Sequence, residues 1–134
     1  MSYLLTKSEL NLQAAQFLSD KNHYATVLHP VYYSCLQLMK YKINHSLNID
    51  YKQQATEASR DYNGNSHAYL ISKITKKIKE NKGFRAANEF ERDIKGLKEL
   101  REQSDYENKS VVSQDVCERA IRTAKNLILT INKI

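Results

Sequence analysis

A chain of 134 residues holds one domain with a modest core and hardly two. Its 41% hydrophobic and 27% charged residues exclude a disordered protein, and three Gly with a single Pro exclude a sandwich or barrel built on many tight turns. Lys and Arg number 21 against 15 acidic residues, a formal charge of +6 that favours an anionic partner such as a nucleic acid or nucleotide.

No apolar run approaches the roughly 18 residues of a membrane span, and MSYLLTKSEL carries no apolar stretch of signal-peptide length. The expectation is a cytoplasmic protein without a membrane partner. Cys35 and Cys117 lie in apolar helical patterns without Cys-x-x-Cys spacing, which reads as buried free thiols in a reducing compartment.

The hydrophobic period is helical nearly everywhere. Leu10, Ala14, Phe17 and Leu18 stripe a first helix. It starts at Thr6, through a capping box with Glu9, or earlier through Leu4 and Leu5, and ends at Ser19-Asp20-Lys21-Asn22. A second stripe runs Tyr24, Leu28, Val31, Tyr32, Cys35 and Met39, widened by Leu38. Pro30 has no N–H for the carbonyl of Thr26, so this helix kinks there or restarts with Pro30 in its first turn. Residues 48–65 turn polar, with a short helical piece around Gln53 to Ser59 and a closing turn at Asn63-Gly64-Asn65.

Ser66 or Asn65 caps a third helix carrying Leu70, Ile71, Ile74 and Ile78, which stops at Asn81-Lys82-Gly83 with Gly83 in the left-handed C-cap conformation. Ala87, Phe90, Ile94, Leu97 and Arg101 step by three and four along a fourth helix. After a polar loop from Ser104 to Ser110, Ser113 caps a last helix striped by Val116, Ala120, Ala124, Leu127 and Ile131. The expected fold is all-α: a single domain over residues 1–134, forming an antiparallel up-and-down helical bundle of four long helices plus a shorter one.

Function is sought where a residue breaks its local pattern. Arg101 occupies a seam position that the preceding turns fill with apolar groups, and a guanidinium facing inward needs an anion or several acceptors. Two readings stand side by side: a structural Arg101–Asp105 pair at a helix end, or a phosphate-binding Arg101 with Asp105 or Tyr106 beside it. Tyr32 and Tyr33 bring two phenol hydroxyls to the bundle, with packing favoured over binding, and His29, one turn earlier, either hydrogen-bonds one of these hydroxyls or, the favoured reading, faces solvent. Ser66-His67 opens the third helix, where His67 is either exposed and inert or turned towards a phosphate at the helix N-terminus. Lys73, Lys76, Lys77, Lys79, Lys82 and Arg85 form the densest basic stretch, a solvated face by default and a phosphate-tracking surface otherwise. His23, His29, His45 and His67 show no zinc-ligand spacing with the two cysteines, and there is no Gly-rich phosphate loop or Gly-x-Ser-x-Gly elbow. No metal or redox cofactor is indicated.

Taken in order, Asn22-His23-Tyr24-Ala25, Val31-Tyr32-Tyr33-Ser34, Gly64-x-Ser66-His67 and Leu97-x-x-Leu100-Arg101-x-x-x-Asp105-Tyr106 span nearly the whole chain, and the set resembles the prokaryotic HEPN family in its small Tyr-Tyr-small branch. The resemblance implies a helical bundle that pairs as a symmetric homodimer. It also implies a metal-independent ribonuclease of a toxin–antitoxin or phage-defence module, encoded beside a minimal nucleotidyltransferase antitoxin. Catalytic members carry Arg, four to six residues, then His; the Arg stabilises the crowded phosphate and the His moves protons. Here the corresponding positions after Arg101 are Tyr106, Glu107 and Asn108, none of them His. Arg60 and His67 satisfy the spacing but straddle the loop before the third helix, an accidental match. By this resemblance Arg101 binds phosphate, Asp105 orients it, Tyr106 donates a hydrogen bond or is modified by the partner nucleotidyltransferase, and His67 is a distant acid/base candidate. The alternative is a non-catalytic HEPN module that binds a nucleotide or a nucleotidyltransferase through the same cleft.

Overall fold

The computed structural model describes residues 3–105 and 113–134. Six helices occupy them: α1 (Tyr3–Asp20), α2 (Leu28–Leu47), α3 (Tyr51–Tyr62), α4 (Ser66–Lys82), α5 (Phe84–Asp105) and α6 (Gln114–Asn132), with a 3₁₀ turn at Tyr24–Thr26. The all-helical class and the bundle are those expected. The expected helix count is one short, because five helices run to 17 residues or more and only α3, at 12, is shorter.

Local chemistry sets most boundaries. Pro30 stands in the first turn of α2, which therefore restarts after the 3₁₀ turn instead of kinking. Asp50 caps α3 by accepting from the Gln53 N–H, Asn65 caps α4 through the Ala68 N–H, and Ser113 caps α6 through the Val116 N–H. Asn48 and Asn63 end α2 and α3 in the left-handed region. Gly83 has positive φ as expected, but at φ 91°, ψ −179° it lies in a region open essentially to glycine alone and not in the left-handed helical well. That geometry lets α5 begin at the next residue. Nothing lies within 4 Å of an added Cβ there, so Gly83→Ala meets backbone strain alone. It is expected to cost about 1–3 kcal/mol, read as a lowered midpoint in urea at unchanged slope.

Three expectations are corrected. The first helix begins at Tyr3 and contains Thr6, and its buried face is not the Leu10–Ala14–Phe17 stripe: Leu10 is 57% and Phe17 60% exposed, and Ala14 faces out as well. Ser8, Ala15 and Ser19 are buried instead, flanked by half-buried Leu5, Leu12 and Leu18. Small side chains let α1 lie close on α2, where Ser8 Oγ donates to the Ser34 carbonyl at 2.6 Å and Asn11 Nδ2 to Gln37 Oε1 at 2.7 Å. The short piece within 48–65 is longer than expected, because the Asp50 and Asn63 caps hold a helix whose buried residues, Gln54 and Ala58, show no apolar period. Ser104 and Asp105, expected in a loop, belong to α5 instead, and the rest of that expected loop, 106–110, lies outside the described residues.

α2 is the central helix. Its buried residues run almost all round it, from Leu28 through Val31, Tyr32, Cys35, Leu38 and Met39 to Ile43, and it packs on α1, α4, α5 and α6. α3 packs on α4, where the Tyr69 hydroxyl donates to Glu57 Oε1 at 2.7 Å and the Tyr62 hydroxyl to Ser72 Oγ at 2.8 Å. Ile74 and Ile78 of α4, Phe90, Ile94 and Leu97 of α5, and Cys117, Ile121, Ala124, Leu127 and Ile131 of α6 close the core around α2. Cys35 and Cys117 are free and buried, and burial pushes the Cys35 thiol up to about 12. Among the described residues no helix is long and apolar enough to cross a membrane.

Candidate functional site

The apolar seam of α5 carries Ala87, Phe90, Ile94 and Leu97 into the core and delivers Arg101 one turn later against α2. The Arg101 side chain is 16% exposed, its guanidinium carbon 5.3 Å from the Tyr32 ring centre and 5.6 Å from that of Tyr33. One nitrogen, Nη1, donates to Asp105 Oδ2 at 3.3 Å, and Nη2 lies 3.9 Å from Glu102 Oε1. Arg101 Nε is buried and has no hydrogen-bond partner among the described residues. The structural pair and the inward-facing guanidinium are therefore features of one arrangement.

The N-terminus of α4 brings His67 to the same notch. Its Nδ1 lies 3.2 Å from the Tyr32 hydroxyl oxygen, and its ring packs on Tyr32 and edge-on to Tyr33, with centres 5.6 and 5.7 Å apart. From the first turn of α2, His29 stacks on Tyr33 at 4.5 Å, and its Nδ1 is 4.0 Å from Asp105 Oδ2. Residues separated by up to 76 positions thus share one aromatic wall: Arg101 and Asp105 from α5, Tyr32, Tyr33 and His29 from α2, and His67 from α4.

Burial lowers His67 below the ordinary imidazole value, and the charges of Arg101 and Lys98 add to it against a smaller opposing effect of Glu102, so the ring is neutral at pH 7. Burial holds the Tyr32 phenol protonated well above its usual range, with Arg101 opposing. Tyr32→Phe removes the hydroxyl and leaves the ring under Arg101. It is expected to cost about 0.5–1.5 kcal/mol in a denaturant titration.

His29 is exposed, as expected, yet it belongs to the wall. Its position four residues before Tyr33 was the readable signal, since that spacing shares a helix face. Lys98 and Glu102, on either side of Arg101 along α5, were not singled out from the sequence. Tyr106 lies outside the described residues. Lys73, Lys76 and Lys77 do not join the notch: they stand on α4 about 9–15 Å along the axis from His67. There Lys73 Nζ is 3.4 Å from Glu57 and Lys77 Nζ 3.7 Å from Glu80, while Lys76 is exposed. Arg60 is engaged with Asp61 at 2.9 Å. Among the described residues no three His, Cys, Asp or Glu side chains group so as to hold a metal ion.

Fold and site define a small all-helical protein with a guanidinium turned inward against two neighbouring phenol rings beside a neutral histidine. A family model for the HEPN domain matches residues 1–134, the whole chain, and the protein belongs to that family. Comparisons with curated proteins and with solved structures returned no match.

Proposed function

We propose that this HEPN protein binds the phosphate of an RNA at the Arg101 notch and cleaves the strand without a metal ion, acting in a toxin or phage-defence module. The observation that carries this reading is the juxtaposition of Arg101 and His67 against the same pair of tyrosine rings. The α5 motif lacks the family's histidine, and α4 supplies an imidazole to the notch instead. Arg101 carries the charge that a phosphorane intermediate needs, and its Nε has no acceptor among the described residues. In the tautomer that donates from Nδ1 to Tyr32, Nε2 of neutral His67 keeps its lone pair and takes the proton of the attacking 2′-hydroxyl. Asp105 holds Arg101 in place, and Tyr106 follows it as a hydrogen-bond donor or as the residue modified by a partner nucleotidyltransferase. A homodimer would set two such notches around one cleft.

The second reading, a non-catalytic module binding a nucleotide or a nucleotidyltransferase, is favoured by Tyr106 standing where catalytic members have histidine. The test incubates the purified protein with single-stranded RNA in excess chelator, alongside binding measured across a salt series and the mass in solution. Cleavage in chelator supports the ribonuclease. Salt-weakened binding without cleavage supports the binding module. Neither binding nor cleavage overturns both.

A further inference from the structure

A groove of about 320 Å³, within the size range of small-molecule sites, is lined by residues of α1, α2, α3 and α4, with Tyr33 and His67 among them and Arg101 not. We propose that this groove receives a nucleobase carrying an exocyclic amino group, attached to the nucleotide whose phosphate lies at Arg101. The position of the phosphate rests on the reading above; the preference for an amino group rests on the groove alone.

The key residue is Gln54, which lines the groove and is 3% exposed. Its Nε2 donates to the Lys40 carbonyl at 3.2 Å and to the Ile49 carbonyl at 2.9 Å. Both neighbours are acceptors, so the amide orientation is fixed: a flip would set oxygen against oxygen. Its Oε1 is buried and accepts from no group among the described residues. The amide therefore offers one chemistry to a ligand, a hydrogen-bond acceptor. The atom is covered while the groove is empty, so a ligand donor reaches it as a lining side chain moves aside.

The walls suit a flat ring. Tyr33, Tyr51 and Tyr69 line the groove, while Ala55 and Ala58 on α3 leave space between them. Tyr33 lines the groove and also faces Arg101, and His67 lines it and packs edge-on to Tyr33, so a ring in the groove and a phosphate on the guanidinium would share the Tyr33 ring. Cytosine and uracil are alike in shape and differ along one edge: cytosine has an amino donor at C4 and an acceptor at N3, uracil an acceptor at C4 and a donor at N3. The pair therefore tests whether the C4 substituent is what meets Gln54 Oε1. A carbonyl turned towards Gln54 Oε1 would leave two acceptors opposed.

The test measures, by calorimetry, binding of cytidine and uridine, of their 5′-monophosphates and of inorganic phosphate. Wild type is expected to bind cytidine at least tenfold more tightly than uridine. Gln54→Leu is expected to erase that difference. Because Gln54→Leu also removes two bonds that hold α3, Ala55→Phe serves as the second variant: Ala55 is exposed, so the ring fills the groove without disturbing the core, and nucleoside binding is lost with the melting temperature unchanged. Arg101→Met removes the gain of monophosphate over nucleoside and keeps the base preference. Equal binding of cytidine and uridine, no nucleoside binding at all, or undiminished cytidine binding by Ala55→Phe overturns the proposal. A base preference that survives while phosphate binding proves independent of Arg101 leaves the groove standing and removes the phosphate site; phosphate binding through Arg101 without base preference does the reverse.

Discussion

Arg101→Met is expected to lower RNA cleavage by a factor of about 10²–10³, the usual loss when a preorganised donor to a developing oxyanion is removed. Under the same substitution, stability is expected to change by no more than about 1 kcal/mol. The two expectations follow from the same geometry. Arg101 gains from two aromatic rings and from Asp105 and Glu102, but it holds Nε buried without an acceptor among the described residues and its charge in a notch only 16% exposed. Met fills a similar volume against Tyr32 and Tyr33 without the desolvated charge. A purely structural arginine predicts the opposite pattern, a lowered melting temperature and unchanged RNA binding. Arg101→Lys separates the two further, because a lysine keeps the charge but not the fork that grips two phosphate oxygens, and only partial activity is expected. Thermal melting and cleavage measured on the same preparations decide between the patterns.

His67→Gln is expected to abolish cleavage while leaving phosphate binding in place, since it removes the proton acceptor and not the guanidinium. Its effect on stability has a definite sign. His67 has a folded-state value below the ordinary 6.5 of an unfolded imidazole. Between the two values the unfolded chain holds a proton that the folded chain does not. Stability contributed by this group is therefore complete above about pH 6.5 and declines as the pH falls towards the lower folded value. His67→Gln flattens that part of the stability profile. In the proposed cleavage, the acid limb of the pH–rate profile has its midpoint below 6.5, because protonation of folded His67 removes the proton acceptor. A variant with an unaltered profile and full cleavage would remove His67 from the chemistry.

The helices were legible because each, α3 excepted, repeats apolar residues at three and four, and because Asn65 and Ser113 are short polar side chains able to satisfy free N–H groups at helix starts. α1 misled for a physical reason. Hydrophobicity alone points to Leu10 and Phe17, yet the close approach of α1 to α2 needs the small faces of Ser8, Ala15 and Ser19, so the larger groups face out. α3 was short in the reading because a helix held by caps and by a buried glutamine has no apolar stripe to display.

Arg101 stood out from the sequence as a charge on an apolar seam, and Asp105 four residues later as its partner. What the sequence by itself determined is everything carried by spacings of three and four along one helix: the helical class, most caps, the α5 seam and its terminal guanidinium. Only the tertiary structure decided what that guanidinium meets. The contacts that matter join residues more than 30 positions apart, Tyr32 to His67 and Tyr33 to Arg101, and they depend on the rotation of α2 within the bundle, which local periodicity does not fix. The same packing buries Gln54 and leaves its carbonyl oxygen without a partner among the described residues, which the sequence does not show, because a polar side chain on a polar helix gives no sign along the chain of the two carbonyls that capture its amide.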